Sequence, residues 1–286
     1  MSADARQLWT RAEPLHALTY FAPESQQAFE DAGLHGFWRG YFAGRAAPLG
    51  TAPAGMVTAT FYGFHPDFVA RAIPSIWSIT TPARAIDARL DGVDRAMRRI
   101  FGDELSATGV TRAATQLRRA IDATPVTGLP LFAANVALDW PEPPHLALWH
   151  AVTLVREHRG DGHVNLLGVA GVDPCEAHVL RVADDGLPLD SIQPYRGWTE
   201  ENWADATERL RARGWLNDND RTTPKGTRAR AAIEDDTDRL SATLVDQIPD
   251  ADLVMRVLTA VTDELQRTGA IPYPNPVGVP PPEPGP

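Results

Sequence analysis

The sequence predicts a mainly α-helical protein of two tandem helical units, each finished by a short β-wing. Three observations carry that expectation. The first is the stretch from Gly197 to Gly226. Thr199 followed by Glu200, Glu201 and Asn202 has the pattern of a helix start, with acids where the helix dipole favours them. Trp203, Ala206 and Leu210 recur at helical spacing, and Gly214 stands where a C-terminal capping glycine belongs. Trp215-Leu216 and Arg221 to Pro224 then read as two short strands around the turn-forming Asn217 to Asp220, and Lys225-Gly226 leads into another helix. Helix, hairpin and helix in that order are the recognition helix and wing of a winged helix. The second observation is a succession of helical periods elsewhere in the chain. The third is an internal echo: Asp31 to Leu34 is matched by Val169 to Val172, and Leu90 to Arg95 by Ile233 to Arg239, which suggests two related halves.

In chain order, residues 3–21 read as helical with a break at Pro14, and Pro23 opens a second helix that Gly33 ends. From Leu34 to Gly50 a helix carries Gly36, Gly40 and Gly44 four apart. Each interior glycine costs a helix about 1 kcal/mol against alanine, so something is expected to approach that face closely. It is either a crossing helix or a flat ligand edged by Arg39, Tyr41 and Arg45. Thr51 to Gly63 reads as a loop with one short strand at Met56 to Tyr62. Helices are expected from Pro66 to Ile79, kinked at Pro74, from Pro82 to Phe101, from Thr111 to Ala123 and over Leu129 to Leu138. Trp140-Pro-Glu-Pro-Pro144 marks the boundary between an N-terminal domain, 1–140, and a C-terminal domain, 141–270. Beyond it helices are expected over His145 to His158, Asp161 to Ala170, Pro174 to Ala183, Arg228 to Gln247 and Asp252 to Gln266. Residues 271–286 read as a Pro-rich disordered tail.

The bulk numbers narrow the partners. The chain has 286 residues, 43% hydrophobic and 22% charged, enough for a substantial core. Its net charge of −10 repels phosphate backbones and anionic membranes unless charge is segregated. One cysteine, Cys175, precludes an intramolecular disulfide. No apolar run marks a secretory signal or a membrane span, so a cytoplasmic protein, monomer or homodimer, is expected.

Titratable residues cluster in two places. Between Trp149 and His163 lie His150, Glu157, His158, Arg159, Asp161 and His163. His150 and Glu157 share a helical face with Thr153, and Arg159-Gly-Asp-Gly162 reads as a turn that swings His163 back toward His158. Such a group suits a metal site, an acid–base pair or an anion pocket, and it equally suits a buried polar turn. No metal-ligand spacing is met, and no Walker A, GxGxxG or GxSxG sequence occurs. If the protein is an enzyme, His163 or His158 is the acid–base group, Glu157 or Asp161 the orienting carboxylate, and Arg39, Arg45 or Arg159 holds an anion. The second cluster, His16, Tyr20, His35, Arg39, Tyr41 and Arg45, lies with Gly36 and Gly40 in the first half. Together the two clusters suggest a polar-edged pocket between the halves, with His16, Tyr20, Gly36, Arg39, Gly40, Tyr41, Arg45, His150 and Arg159 as ligand-binding candidates. The sequence names no cofactor.

DNA is not expected as a partner. The half of the recognition helix that would enter a groove carries Glu200, Glu201 and Asp205, with Glu208 in the next turn, and the wing holds two acids against one arginine. A small-molecule ligand is expected instead.

Tyr20 to Glu24, Gly36 to Gly50, Trp149-His150 with Arg156 to His163, and Trp203 to Gly214 resemble segments of an actinobacterial helix-turn-helix family with a MarR-like winged-helix fold. The resemblance implies that fold, and the family label implies DNA binding by analogy. Together the residues and the resemblance give an expectation of a small-molecule-binding protein, an enzyme of actinobacterial secondary metabolism among the possibilities, with a ligand-responsive MarR-like transcriptional regulator as the alternative.

Overall fold

A computed structural model describes residues 4–102, 108–189, 192–275 and 277–279. Sixteen α-helices occur among them. The first seven are α1 (Ala5–His16), α2 (Leu18–Phe21), α3 (Pro23–Asp31), α4 (Phe37–Ala46), α5 (Ala54–Phe61), α6 (Pro66–Ala70) and α7 (Ile76–Ile79). Next come α8 (Pro82–Phe101), α9 (Thr108–Asp122), α10 (Pro130–Val136), α11 (Pro144–Val169) and α12 (Pro174–Asp185). The last four are α13 (Gln193–Arg196), α14 (Glu200–Ala212), α15 (Pro224–Val245) and α16 (Ala251–Arg267). The abundance of proline is consistent with this architecture. Pro23, Pro66, Pro82, Pro130, Pro144, Pro174 and Pro224 each occupy the first position of a helix, where the missing N–H is no loss.

The sequence expectation of a mainly α protein holds, but no strand forms among the described residues. The expected wing is reduced to a single antiparallel bridge between Leu216 and Thr222. Asn217 accounts for the shortness: its side-chain oxygen accepts from the N–H of Asn219 and of Arg221, so a tight turn follows the bridge at once. The expected strand over Met56 to Tyr62 is instead α5, ended by Tyr62 at a φ of 55°. The helix expected from Pro66 to Ile79 is divided into α6 and α7.

The largest departure concerns α11. No turn separates His158 from His163; Pro144 to Val169 is one continuous helix. Gly160 and Gly162 lie inside it. A Cβ on Gly162 would sit 2.5 Å from Leu240 Cδ2, so this glycine lets α15 pass close by. Helix α11 is buried on several faces at once, packed by α1, α9, α10 and α15. The main hydrophobic cluster gathers residues from Ala5 to Val155 and again from Leu244 to Val279, so the Trp140–Pro144 boundary lies inside the range it spans. A smaller cluster that includes Cys175, Val179, Leu180, Ala206, Leu210 and Leu216 holds α12, α14 and the Leu216–Thr222 bridge together.

The described part of the tail is docked, contrary to the expectation of disorder. Ile271, Asn275 and Val279 are buried. Arg196 and Arg181 donate to the carbonyls of Val277 and Gly278, at 2.8 and 3.2 Å. The remaining tail positions, 276 and 280–286, lie outside the described residues. Among the described residues no helix is long and apolar enough to cross a membrane.

Candidate functional site

The polar residues of α11 are buried, and burial obliges each to find a partner. Glu157 is the hub. Its two oxygens accept from Arg45 Nε and Nη2, each at 3.2 Å, and Arg156 Nη1 donates to it at 2.8 Å. Burial opposes ionisation of this carboxyl, but Arg156 and Arg45 overcome it and hold the pKa at about 2. The same ion pair helps keep Arg45 charged: burial and Arg156 work against its charge, and Glu157 with Tyr41 and Tyr20 raises its pKa overall. Tyr41 Oη accepts from Arg45 at 3.3 Å, and Glu13 lies 3.5 Å from Arg156.

His16 sits above this hub. Thr153 donates its hydroxyl to the Trp149 carbonyl, so His16 donates Nδ1–H to Thr153 at 3.0 Å, and its Nε2 accepts from Tyr20 Oη at 3.0 Å. Both ring nitrogens are satisfied, and burial pushes the pKa of His16 well down, so it stays neutral.

The other candidates disperse. Five residues apart on a continuous helix, His158 and His163 point roughly 140° from one another, and the expected His158–His163 pairing is absent. His158 meets the Phe132 ring edge-on, with burial lowering its pKa to about 4. Asp161 accepts from the Phe132 N–H at 2.8 Å, which satisfies the first turn of α10; burial raises its pKa to about 7. Arg159 pairs with Asp238 at 2.5 Å and Glu234 at 3.1 Å, and lies over the Trp9 ring. His150 is packed against Trp140, with its Nε2 unpartnered and its pKa lowered to about 3 by burial and by Arg89 and Arg118. Arg39 and His35 are exposed.

The glycine face of α4 is occupied by protein. Cβ atoms on Gly40 and Gly44 would stand 3.0 and 2.6 Å from the Phe29 ring, so these glycines admit α3. Gly36 precedes α4 at a φ of 88°. With Tyr20, Gly40 and Tyr41 it lines a crevice of about 40 Å³, space for little more than water.

A second cavity, about 240 Å³ and less open than the shallow groove of about 540 Å³ at Leu189, Gln193 and Trp198, opens where α4, α11, α12, α13 and α15 converge. Tyr41, Arg45, Arg156 and His163 from the sequence clusters line it, joined by Phe61, Phe64, Leu167 and Ile233. His163 repeats the His16 arrangement. Thr237 donates to the Ile233 carbonyl at 2.7 Å, so His163 donates Nδ1–H to Thr237 at 3.0 Å and keeps Nε2 as an acceptor. Burial lowers its pKa, so the imidazole is neutral. His178, also in the wall, has its pKa lowered to about 3 by burial and lies 2.8 Å from the Gly63 carbonyl through Nε2.

Three further arginines line this cavity that the sequence clusters do not include: Arg181, Arg196 and Arg230. They come from α12, α13 and α15, far apart in the chain, and no local spacing signals their convergence. Arg230 pairs with Asp184 and Asp185 at 2.6 and 2.8 Å, and Arg181 with Asp185 at 3.5 Å. Arg196 has no carboxylate partner among the described residues. It is 7% exposed, lies over the Phe64 ring and donates to the Val277 carbonyl, while its Nε has no hydrogen-bond partner. Burial lowers its pKa.

The helix α14 presents a different surface. Glu200, Glu201, Asp205 and Glu208 are exposed, and its arginines are taken up by partners within the protein. Arg209 pairs with Asp173 and Glu176, at 2.5 and 3.0 Å. Arg211 pairs with Glu208 and Asp220, and Arg213 donates to the Gly171 carbonyl. Cys175, near the start of α12, is buried, with its thiol pushed up to about 12, mainly by that burial. Among the described residues no group of three or more His, Cys, Asp or Glu is placed to hold a metal ion.

No curated protein and no solved structure matches the chain. A family model described as a helix-turn-helix family matches residues 5–272, nearly the whole chain, and the protein belongs to that family.

Proposed function

We propose that this protein binds a small molecule in the cavity between α4, α11, α12, α13 and α15, and that its α12–α15 segment is a winged-helix-like unit no longer used to grip DNA through α14. The carrying observation is the cavity itself: about 240 Å³, walled by Phe61, Phe64, Leu167 and Ile233, with Arg196, which no described carboxylate answers, and His163, tied only through Nδ1, in its lining. A few placed polar groups in an apolar concavity are what a ligand site needs. The acidic, internally neutralised face of α14 argues in the same direction, because phosphate contacts require free cations. In this reading the neutral His163, with Nε2 as acceptor, is the group that would take a proton if the bound molecule is transformed, and Glu157 and Asp161 are structural.

The family match favours a second reading, a dimeric ligand-responsive regulator that contacts DNA through another face. Native mass spectrometry of the purified protein, with a low-salt mobility shift on its own upstream DNA, separates the two. Ala177 on α12 lines the cavity, and a retained small molecule that disappears in the cavity-filling variant Ala177→Trp, with no shift, supports the first reading. A salt-sensitive shift by a dimer that carries nothing in the cavity would replace it with the second.

A further inference from the structure

The charges around the cavity can be matched one by one. Arg45 and Arg156 are answered by Glu157 and Glu13, Arg230 by Asp184 and Asp185, and Arg181 by Asp185. Glu234, the carboxylate in the wall, is held by Arg159. Arg196 alone of the cavity arginines is left without a carboxylate among the described residues, and it is more than nine-tenths buried. A buried cation without a counter-charge is costly, and a fold keeps one where something else supplies the charge.

Resting on the ligand-binding reading above, we infer that the cavity is a site for a compact organic monoanion, a carboxylate on an apolar or aromatic body, with the acid group on Arg196. The Arg196 guanidinium stands in the cavity wall with only neutral partners, the Val277 main-chain carbonyl for Nη2 and the Tyr41 hydroxyl, and its Nε is enclosed without an acceptor. A carboxylate against the cavity side of the guanidinium would accept from its Nη–H groups in a charge-assisted hydrogen bond, the stronger kind, and would neutralise it. The Phe64 ring packs against that guanidinium and fixes its plane. Phe61, Leu167 and Ile233 supply apolar surface for the rest of the molecule. His163, tied by Nδ1–H to Thr237, offers Nε2 to a hydroxyl or amine donor on the ligand. One uncompensated positive charge and a cavity of this size select a single carboxylate on a small body over a nucleotide or a polyphosphate.

The test uses benzoate and its neutral isostere benzamide, with inorganic phosphate as the bare anion, titrated into the full-length protein by calorimetry. Benzoate is expected to bind about tenfold or more tightly than benzamide, the usual gain from a charged hydrogen bond, and Arg196→Gln is expected to erase the difference. A 15N spectrum of the wild-type protein gives a readout independent of how any variant folds: the Arg196 Nε–H resonance should shift with benzoate and not with benzamide. Equal binding of benzoate and benzamide, both blocked by Ala177→Trp, would overturn the anion assignment and leave the pocket reading standing. Benzoate binding that keeps its preference in Arg196→Gln, with the Arg196 resonance unmoved, would overturn it as well. Phosphate alone shifting that resonance would replace the carboxylate with a phosphate-sized anion. No binding by any of the three probes, with an unshifted resonance, would overturn the anion assignment, and the pocket reading would then stand or fall on the retained molecule alone.

Discussion

Arg45 and Arg196 are both buried guanidiniums in the wall of one cavity, 8% and 7% exposed, and they differ in what answers their charge. Arg45 meets Glu157 through two parallel hydrogen bonds, its pKa is raised, and its role is complete within the protein. Arg196 meets a ring, a main-chain carbonyl and the Tyr41 hydroxyl but no carboxylate, burial lowers its pKa, and its enclosed Nε has nothing to bind. The imidazoles repeat the contrast. His16 and His163 are each anchored through Nδ1 to a threonine that donates to its own helix, but the far nitrogen of His16 is taken by Tyr20, and that of His163 is left for the cavity. The same side-chain types are therefore fully answered in one region and left with an unanswered polar group in another. The difference is made by partners and not by residue type.

The comparison is easiest to break at its structural end. Arg45→Met leaves Glu157 buried with Arg156 as its remaining cation, and is expected to cost about 3 kcal/mol in urea unfolding, the lower part of the range for a broken buried pair. A loss below about 1 kcal/mol would show that Arg156 alone suffices and that Arg45 is as spare as Arg196.

Acid titration sharpens the distinction next. His150, His158 and His178 have folded pKa values of about 3, 4 and 3, so the unfolded chain binds more protons than the folded one below about 6.5. Their contribution is present at neutral pH and is lost as pH falls from about 6.5 toward 4. Asp161, raised to about 7, acts oppositely: the folded state holds its proton, and stability declines as pH rises from about 4 to 7. These three imidazoles, with His16 and His163 lowered in the same direction, against one raised carboxyl leave a net rise with pH, at about 1.4 kcal/mol per pH unit for each net proton. Asp161→Asn is expected to steepen that rise and to raise the melting temperature above pH 7. An unchanged profile would mean that Asp161 ionises normally.

Thr153→Val removes the acceptor for His16 Nδ1–H in the core and is expected to cost about 2 kcal/mol by thermal unfolding. Thr237→Val, beside the open cavity, is expected to cost less, because His163 can turn its ring toward solvent or ligand. Equal costs would argue that the His163 side is as closed as the core. The smallest effect belongs to Arg196→Gln, which removes an unanswered charge. Its stability should lie within about 1 kcal/mol of wild type by urea unfolding. A large loss would mean that the Phe64 and Val277 contacts, and not a ligand, are the reason for Arg196.

Some of this was legible in the sequence. The start of α14 at Thr199, where a reciprocal capping box with Asn202 forms, and its end before Gly214 are local matters, fixed by side chains one turn away. The acidic character of α14 was equally plain. The glycines were ambiguous, because a glycine signals close approach without saying to what. Gly40 and Gly44 admit Phe29, and Gly162 admits Leu240 from a helix more than seventy residues on. Reading Arg159 to Gly162 as a turn failed for that reason. Burial between α15 and the core offsets the helix cost of two glycines, and no local propensity contains that information.

By itself, then, the sequence determined the helical class, the proline-started helices, the α14 caps and the residues available for a polar centre. Those depend on contacts within a turn or two of chain and on periodicity. Only the tertiary structure decided that Glu157 belongs to Arg45, that His158 and His163 face apart, and that Arg181, Arg196 and Arg230 converge on one cavity with the tail at Val277. Charge compensation is a property of neighbours in space, and here the neighbours of Glu157 and Arg196 are brought to them by helices distant in the chain.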